Sequence, residues 1–373
     1  MKLALITRRY PPLIGGAEKV LSYLAPALAA EGAEVSVVTA AIPGREGIEA
    51  DGPVPVVRLP TASARFVGTW LYMRNLRRWL ERHPTDLAYV SMLKHDAYVA
   101  VGAGRRQGFP VVLRPEGAGA TGDLAWQGWG RGGRAIGRRC READAVVAIS
   151  PAVRAELLAA GYEADRIHDI PNGVPVPAEP WRPHVQEHAV FVGRLAPEKG
   201  LDTLIDAWPI VLADRPGARL TLIGEGPERP ALERRIDRHG LRASVAMPGA
   251  SPDPTADLRA ADLFVLPSRE EGMSIALLEA MALGLPAVAS AIPGNLALIA
   301  EGVHGRLTPP DDPGALARAI LARWDDPDGS LAMAGAARLR VAEHYSIAAV
   351  ARRHLDLFRG GSRGKPGRSP GAR

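Results

Sequence analysis

Short apolar runs alternate with longer amphipathic stretches along almost the whole chain. Lys2–Thr7, Glu34–Thr39, Val54–Leu59, Asp86–Ser91, Pro110–Arg114, Ala143–Ser150 and Arg166–Val174 form one series of runs. Ala189–Leu195, Arg219–Ile223, Val245–Gly249, Asp262–Leu266, Pro286–Ser290 and His304–Asp311 form a second. Runs that are apolar throughout read as strands buried on both faces of a parallel sheet. The stretches between them carry helical periodicity, as in Lys19–Ala30, Trp70–Arg82, Pro313–Trp324 and Ile347–Phe358. Strand and helix in alternation predict an α/β fold with doubly wound sheets. The Pro-rich run Val174–Pro183 separates the two series and reads as a linker. The expected organisation is a Rossmann-like domain over 1–178, a second over 179–345, a final helix over 346–358 that crosses back to the first domain, and a basic disordered tail over 359–373.

Composition narrows the classes. The 373 residues are 47% hydrophobic and 23% charged, which fits a soluble globular protein with two cores. A single cysteine, Cys140, excludes an intramolecular disulfide and fits a reducing compartment. Arginines flank it and would lower its pKa, whereas plain packing would leave it inert. The N-terminus lacks a signal peptide's apolar run, and no run nears the ~20 apolar residues of a membrane span. A cytoplasmic protein is expected. Charge is uneven: residues 1–180 carry 22 Lys and Arg against 18 Asp and Glu, and residues 181–358 carry 19 against 23. The two halves should therefore meet different partners. In the helix Trp70–Arg82, Trp70, Leu76, Trp79 and Leu80 are the apolar partners of four arginines. That helix could lie on an anionic membrane surface or pack on its own sheet with a solvated basic face.

Candidate chemistry gathers where strands end, since open α/β sheets bind ligands outside their carboxyl edges. Pro267–Gly294 reads strand, loop, helix, strand. It places Glu271 before a helix and Glu279 two turns into it, so the two acids can touch two parts of one elongated ligand. Gly272 allows close backbone approach, and the N–H groups near Met273 and Ser274 suit an anion. Gly193-Arg-Leu-Ala-Pro-Glu-Lys-Gly200 sets Arg194 and Lys199 around a glycine-bounded loop, a pattern suited to a diphosphate. Gly15 and Gly16 follow the first strand and can admit a ligand against bare backbone. Lys94, His95, Asp96, Glu116 and Asp123 sit at the ends of later strands as acceptor-side candidates. Gly117-Ala-Gly-Ala-Thr-Gly122 spells a dinucleotide fingerprint and raises an NAD-dependent oxidoreductase as a rival, but it follows a late strand, and Asp123–Gly137 makes a poor helix. Asp325-Asp-Pro-Asp328 reads as a helix-end turn, so no metal site is expected.

The pair Glu271 and Glu279, set in EGMSIALLEAMALGLPAVAS, resembles the Glu-x7-Glu motif of retaining family 4 glycosyltransferases of the GT-B fold. The loops GRLAPEKG and PPLIGGAE are similar to that family's phosphate and donor loops. The resemblance covers most of 1–358 and is weakest over 41–140. It implies two Rossmann-like domains facing across a cleft and a nucleotide-diphosphate sugar as donor, with neither cofactor nor metal. It also implies a glycan or lipid-linked acceptor, a role in envelope or extracellular polysaccharide synthesis at the inner face of the membrane, and no nucleic acid. Glu279 would bind the ribose and Glu271 the sugar, while Arg194 and Lys199 would stabilise the leaving diphosphate. Two positions depart from the family. Glu116 stands where a histidine contacts the sugar, which raises an inactive sugar-nucleotide-binding relative as a further reading, and Ala297 stands where many relatives carry Glu.

Overall fold

The computed structural model describes residues 1–361 apart from Ile14, Pro43, Pro53 and Val185. Contacts divide the chain into two compact units. The first holds Met1–Tyr10, Leu21–Pro171 and the chain from Ala348 on; the second holds Pro11–Val20 and Asn172–Ile347.

The first unit is built on β1 (Lys2–Ile6), β2 (Glu34–Ala40), β3 (Gly47–Asp51), β4 (Val54–Leu59), β5 (Leu87–Ser91), β6 (Val111–Arg114), β7 (Ala145–Ala148) and β8 (Ile167–Asp169). Their order is β3-β4-β2-β1-β5-β6-β7-β8. All pairs are parallel except β3 with β4, an edge hairpin that the polar run Gly47–Asp51 hides from periodicity. Leu3 sits between Val35 and Leu87, and Leu3, Leu5, Ile6 and Val90 are wholly buried. The central strands thus have helices on both faces, as their unbroken apolar character requires.

The second unit is a six-stranded parallel sheet. Its strands are β9 (His188–Val192), β10 (Arg219–Ile223), β11 (Val245–Gly249), β12 (Leu263–Leu266), β13 (Ala287–Ser290) and β14 (Arg306–Thr308), in the order β11-β10-β9-β12-β13-β14. The order reverses beside β9, so β9 and β12 are neighbours whose connections leave in opposite directions, and that is where such sheets take ligands.

Several expectations need correction. The Pro-rich stretch is no free linker. Trp181 is buried, its N–H donates to Leu283 O at 2.7 Å and its indole Nε1 to Ala261 O at 2.8 Å. The boundary falls at Pro171/Asn172 rather than 178/179 because this stretch packs on the second sheet. The helix of the basic segment starts at Arg65, and it buries Leu76 and Leu80 while leaving Trp70 exposed. Asp123–Trp129 and Gly133–Cys140 are helices despite their glycines, held by tertiary contacts such as Gln127 Nε2 donating to Leu93 O. Asp326 accepts from Gly329 N at 2.9 Å and caps a further helix, Pro327–Arg340. Burial pushes the Cys140 thiol up to about 12, which outweighs its arginine neighbours. The last helix runs Ile347–Gly361, past the expected end at 358. The rest of the basic tail, 362–373, lies outside the described residues.

That last helix is fastened to the first sheet by a buried contact. Tyr89 Oη, on β5, lies 3.0 Å from His354 Nε2, and Phe358 packs beside both rings. Burial lowers the His354 pKa to about 4. The unfolded chain therefore takes up a proton below the ordinary histidine value while the folded chain refuses it, so stability falls as pH drops from about 6.5 to 4. The loss from this group is on the order of 3 kcal/mol by pKa linkage. Thermal melts of wild type and His354→Gln across that window should converge as pH falls. Parallel curves would show that His354 titrates normally.

Candidate active site

In the second unit the site grows from the ends of β9 and β12. After β9 the chain turns through Gly193 and a single 3-10 turn, Pro197–Lys199, into the helix Leu201–Asp214. Gly200 makes the turn at φ 60°, and a Cβ there would lie 2.2 Å from Pro267 O. The loop Gly193–Gly200 is thus seated directly on the start of the loop after β12. Arg269 ties the two loops: its guanidinium donates to Pro197 O at 2.7 Å, to Asp202 at 2.9 Å and to Asp311 at 2.7 Å.

This seating brings Lys199 Nζ to 2.7 Å from Glu271 Oε1, with the side chains only 18% and 9% exposed. Ser268 Oγ donates to the same carboxylate at 3.0 Å. Ser274 then caps the helix Ile275–Leu283 by accepting from Leu277 N. The N–H groups of Gly272, Met273 and Ser274 find no acceptor among the described residues. They open the helix beside the Lys199–Glu271 pair, where a helix N-terminus favours negative charge. Met273 is buried, and Asn172 donates to its carbonyl at 3.3 Å. One helical stretch further on, Glu279 is paired with Lys19 at 2.7 Å, and both belong to the second unit by contact. Arg194 differs from Lys199. It is exposed and paired with Glu198, so the two expected cations do not share one contact. Gly16 begins the helix Gly16–Ala30, and Gly15 packs on the Glu18 carboxylate.

The first unit has its own polar cluster at the ends of β5 and β6. Met92, just after β5, adopts φ 73°, a left-handed turn rare for a residue with a side chain. It leads into the helix His95–Gln107. Lys94 Nζ lies 3.5 Å from Asp123 Oδ1, and Asp123 Oδ2 accepts from Glu116 N at 2.8 Å. Glu116 Oε1 is 2.6 Å from Arg114 Nη1. His95 meets Trp126 edge-on at 5.5 Å, and its pKa is lowered by burial first and by the Arg8 and Lys94 charges next. Asp96 and Asp123 are corrected as acceptor contacts: both are buried and serve as internal acceptors. Asp96 accepts from Tyr72 Oη at 3.2 Å, and burial raises its pKa to about 6 against the pull of Arg8, whose guanidinium lies over the Tyr72 ring. Lys94, His95 and Glu116 remain partly exposed.

Comparison with known proteins agrees with this architecture. Residues 14–176 match the family described as Glycosyltransferase Family 4, and residues 186–326 match Glycosyl transferases group 1. The chain is a family 4 glycosyltransferase of the GT-B type. Glycogen synthase from Mycobacterium tuberculosis is 27% identical over 403 residues, covering 98% of this chain and 96% of that protein. An exopolysaccharide phosphotransferase from Streptomyces coelicolor is 38% identical over 162 residues, 43% of this chain but 17% of that much longer protein. The crystal structure of Anabaena HepE in complex with UDP-glucose superposes with a TM-score of 0.77 at 22% identity, covering 96% of this chain and 100% of that one.

In this glycosyltransferase, four residues with a part in the site escape sequence reasoning. Ser268 and Arg269 lie inside the motif itself, yet nothing local says that Ser268 holds Glu271 or that Arg269 ties three loops. Lys19 and Asn172 reach the helix from far along the chain, which spacing cannot show. Ala297 caps the short helix Pro293–Leu296, and its backbone carbonyl accepts from Arg340 at 3.2 Å and Tyr345 at 3.3 Å. In the same turn a Cβ on Gly294 would lie 2.3 Å from Glu271 O. Gly294→Ala should therefore push the Glu271 backbone away from Lys199. We expect it to weaken nucleotide-diphosphate binding in calorimetry more than it lowers the melting temperature. Unchanged affinity would mean that the loop after β13 does not set the position of Glu271.

Proposed function

We propose that the glycosyltransferase moves a sugar, with retention of anomeric configuration, from a UDP- or GDP-sugar bound by the second unit to a glycan or lipid-linked acceptor bound by the first. The observation that carries this reading is the Lys199–Glu271 pair, 2.7 Å apart beside the N–H groups that open the helix Ile275–Leu283. A cation and free N–H donors at one place suit the charge that grows on a departing diphosphate. Preorganised donors of this kind usually lower a barrier more than any other single effect in an enzyme. The similarity in fold to HepE, solved with UDP-glucose, supports a nucleotide sugar as donor.

In this scheme the diphosphate takes Lys199 and Arg194, and the freed Glu271 carboxylate accepts from sugar hydroxyls. Glu279 exchanges Lys19 for the ribose hydroxyls. The acceptor hydroxyl attacks C1 from the face the diphosphate leaves. Its oxygen forms the new bond as the C1–phosphate oxygen bond breaks, and its proton passes to a departing phosphate oxygen. No protein nucleophile and no metal takes part. Glu116, held by Arg114, accepts a hydroxyl where the family's histidine would donate; a carboxylate has no proton to give. We place the reaction in cell-envelope or extracellular polysaccharide synthesis at the cytoplasmic face of the membrane.

The dinucleotide alternative is disfavoured by one observation. Two glycine N–H groups of the Gly117–Gly122 stretch that a fingerprint would need are taken: Gly119 N donates to Glu156 at 2.7 Å and Gly122 N to Gly119 O at 3.0 Å. A carboxylate at Gly119 N also repels a pyrophosphate.

Lys199→Ala should weaken UDP or GDP binding by about tenfold to a hundredfold, the range of one lost charge-assisted hydrogen bond. Arg194→Ala, at the exposed end of the loop, should weaken it less. Calorimetry on both variants checks the order, and equal, unchanged affinities would remove the diphosphate from this loop.

A further inference from the structure

Four large apolar side chains stand exposed on the first unit in two stretches that meet. Phe66, Val67 and Trp70 are 64%, 55% and 61% exposed on the first turns of the helix Arg65–Arg82, and Trp129 is 72% exposed at the end of the helix Asp123–Trp129. They are not strays from the core. The same Arg65–Arg82 helix buries Tyr72, Leu76 and Leu80, so its packing face is already satisfied and the exposed residues form a second apolar face. Arg131, two residues after Trp129, brings the stretches together with its guanidinium 4.6 Å from the Phe66 ring, and Arg74 lies 5.5 Å from the Trp70 ring. Residues 63–80 and 124–141 hold nine arginines and no acid.

We propose that this patch docks the protein on an anionic lipid bilayer. Aromatic side chains ringed by cations are what a headgroup boundary rewards: the rings enter the interface and the arginines meet lipid phosphates. A nucleic acid would use the arginines but leave Phe66 and Val67 without a role. A two-fold pairing with a second copy would set arginine-rich rims against each other. Arg77 is engaged with Glu81 at 2.8 Å, so the docking face is the start of the helix with Arg74 and Arg131, not its basic end. The patch also runs on to the acceptor side. The Trp129 ring is 6.4 Å from Trp126, whose ring is 5.5 Å from His95. Resting on the transferase reading, this continuity assigns the acceptor to the lipid-linked class, collected from the bilayer beside His95 and Lys94. No helix among the described residues is long and apolar enough to cross a membrane, so contact would be peripheral.

The test is sedimentation of the full chain with phosphatidylcholine vesicles with and without phosphatidylglycerol, beside calorimetry with UDP and GDP. Wild type should pellet with the anionic vesicles at low salt. A Phe66→Ser, Trp70→Ser, Trp129→Ser triple variant should lose that binding by roughly tenfold or more. Arg74→Ala with Arg131→Ala should lose most of the salt-sensitive part. The melting temperature and circular dichroism should hold in each, which reports an intact first unit, and nucleotide affinity should hold as well. Wild type left in the supernatant overturns the proposal, as does a triple variant that binds like wild type. A wild-type dimer dispersed by the triple variant, with no vesicle binding, would make the patch a subunit interface and also overturn it. Vesicle binding without nucleotide binding would leave the surface standing and sink the transferase reading instead.

Discussion

The chemistry of the second unit depends on holding two opposite charges in place at a sheet edge where water is scarce. Lys199 and Glu271 are both largely removed from solvent, and neither would be tolerated there alone, because removing one partner of such a pair leaves an uncompensated charge. Their positions are not adjustable. Gly200 fixes one loop against Pro267, Gly294 fixes another against Glu271, and Ser268 fills a further site on the carboxylate. In the proposed reading, a diphosphate exchanges for the carboxylate on Lys199 within this tied set of loops.

The first unit follows the same logic with different chemistry. Its charges are also matched in advance: Arg114 with Glu116, Lys94 with Asp123, and Asp96 with Tyr72 and Arg8. Here the buried members, Asp96 and Asp123, position backbone and neighbours, and Lys94, His95 and Glu116 are the more exposed ones. The raised pKa of Asp96 reflects its burial, which outweighs the Arg8 and Lys94 charges and the Tyr72 hydrogen bond that favour the carboxylate.

Much of the fold is legible because parallel strands buried on both faces must be apolar throughout, and such runs as Leu87–Ser91 and Leu263–Leu266 leave no other reading. The edge hairpin Gly47–Asp51 is not, since an exposed edge strand is free of that rule. The helices after Gly122 are hidden because glycine counts against a helix locally, while Gln127, reaching back to Leu93, supplies the missing support from elsewhere. At the site, Glu271, Glu279 and Lys199 lie in compact motifs whose spacing carries their geometry. Asn172, Lys19 and Arg269 act across long stretches of sequence, and only the folded chain brings them to their partners. Periodicity leaves Trp70 open to the sheet or to a surface, because an amphipathic pattern cannot tell a face that meets the sheet from one that meets solvent; the folded chain leaves it exposed.

A nucleotide diphosphate seated where the loop Gly193–Gly200 meets the segment Ser268–Glu279 is what the proposed chemistry requires above all. Hydrogen exchange of the full chain, with and without UDP or GDP, reads this residue by residue. Exchange should slow at the backbone N–H groups of Gly272, Met273 and Ser274 and through the Gly193–Gly200 loop, with Gly117–Gly122 unchanged. Protection by NAD at Gly117–Gly122, or no nucleotide-dependent protection in the second unit, would contradict it.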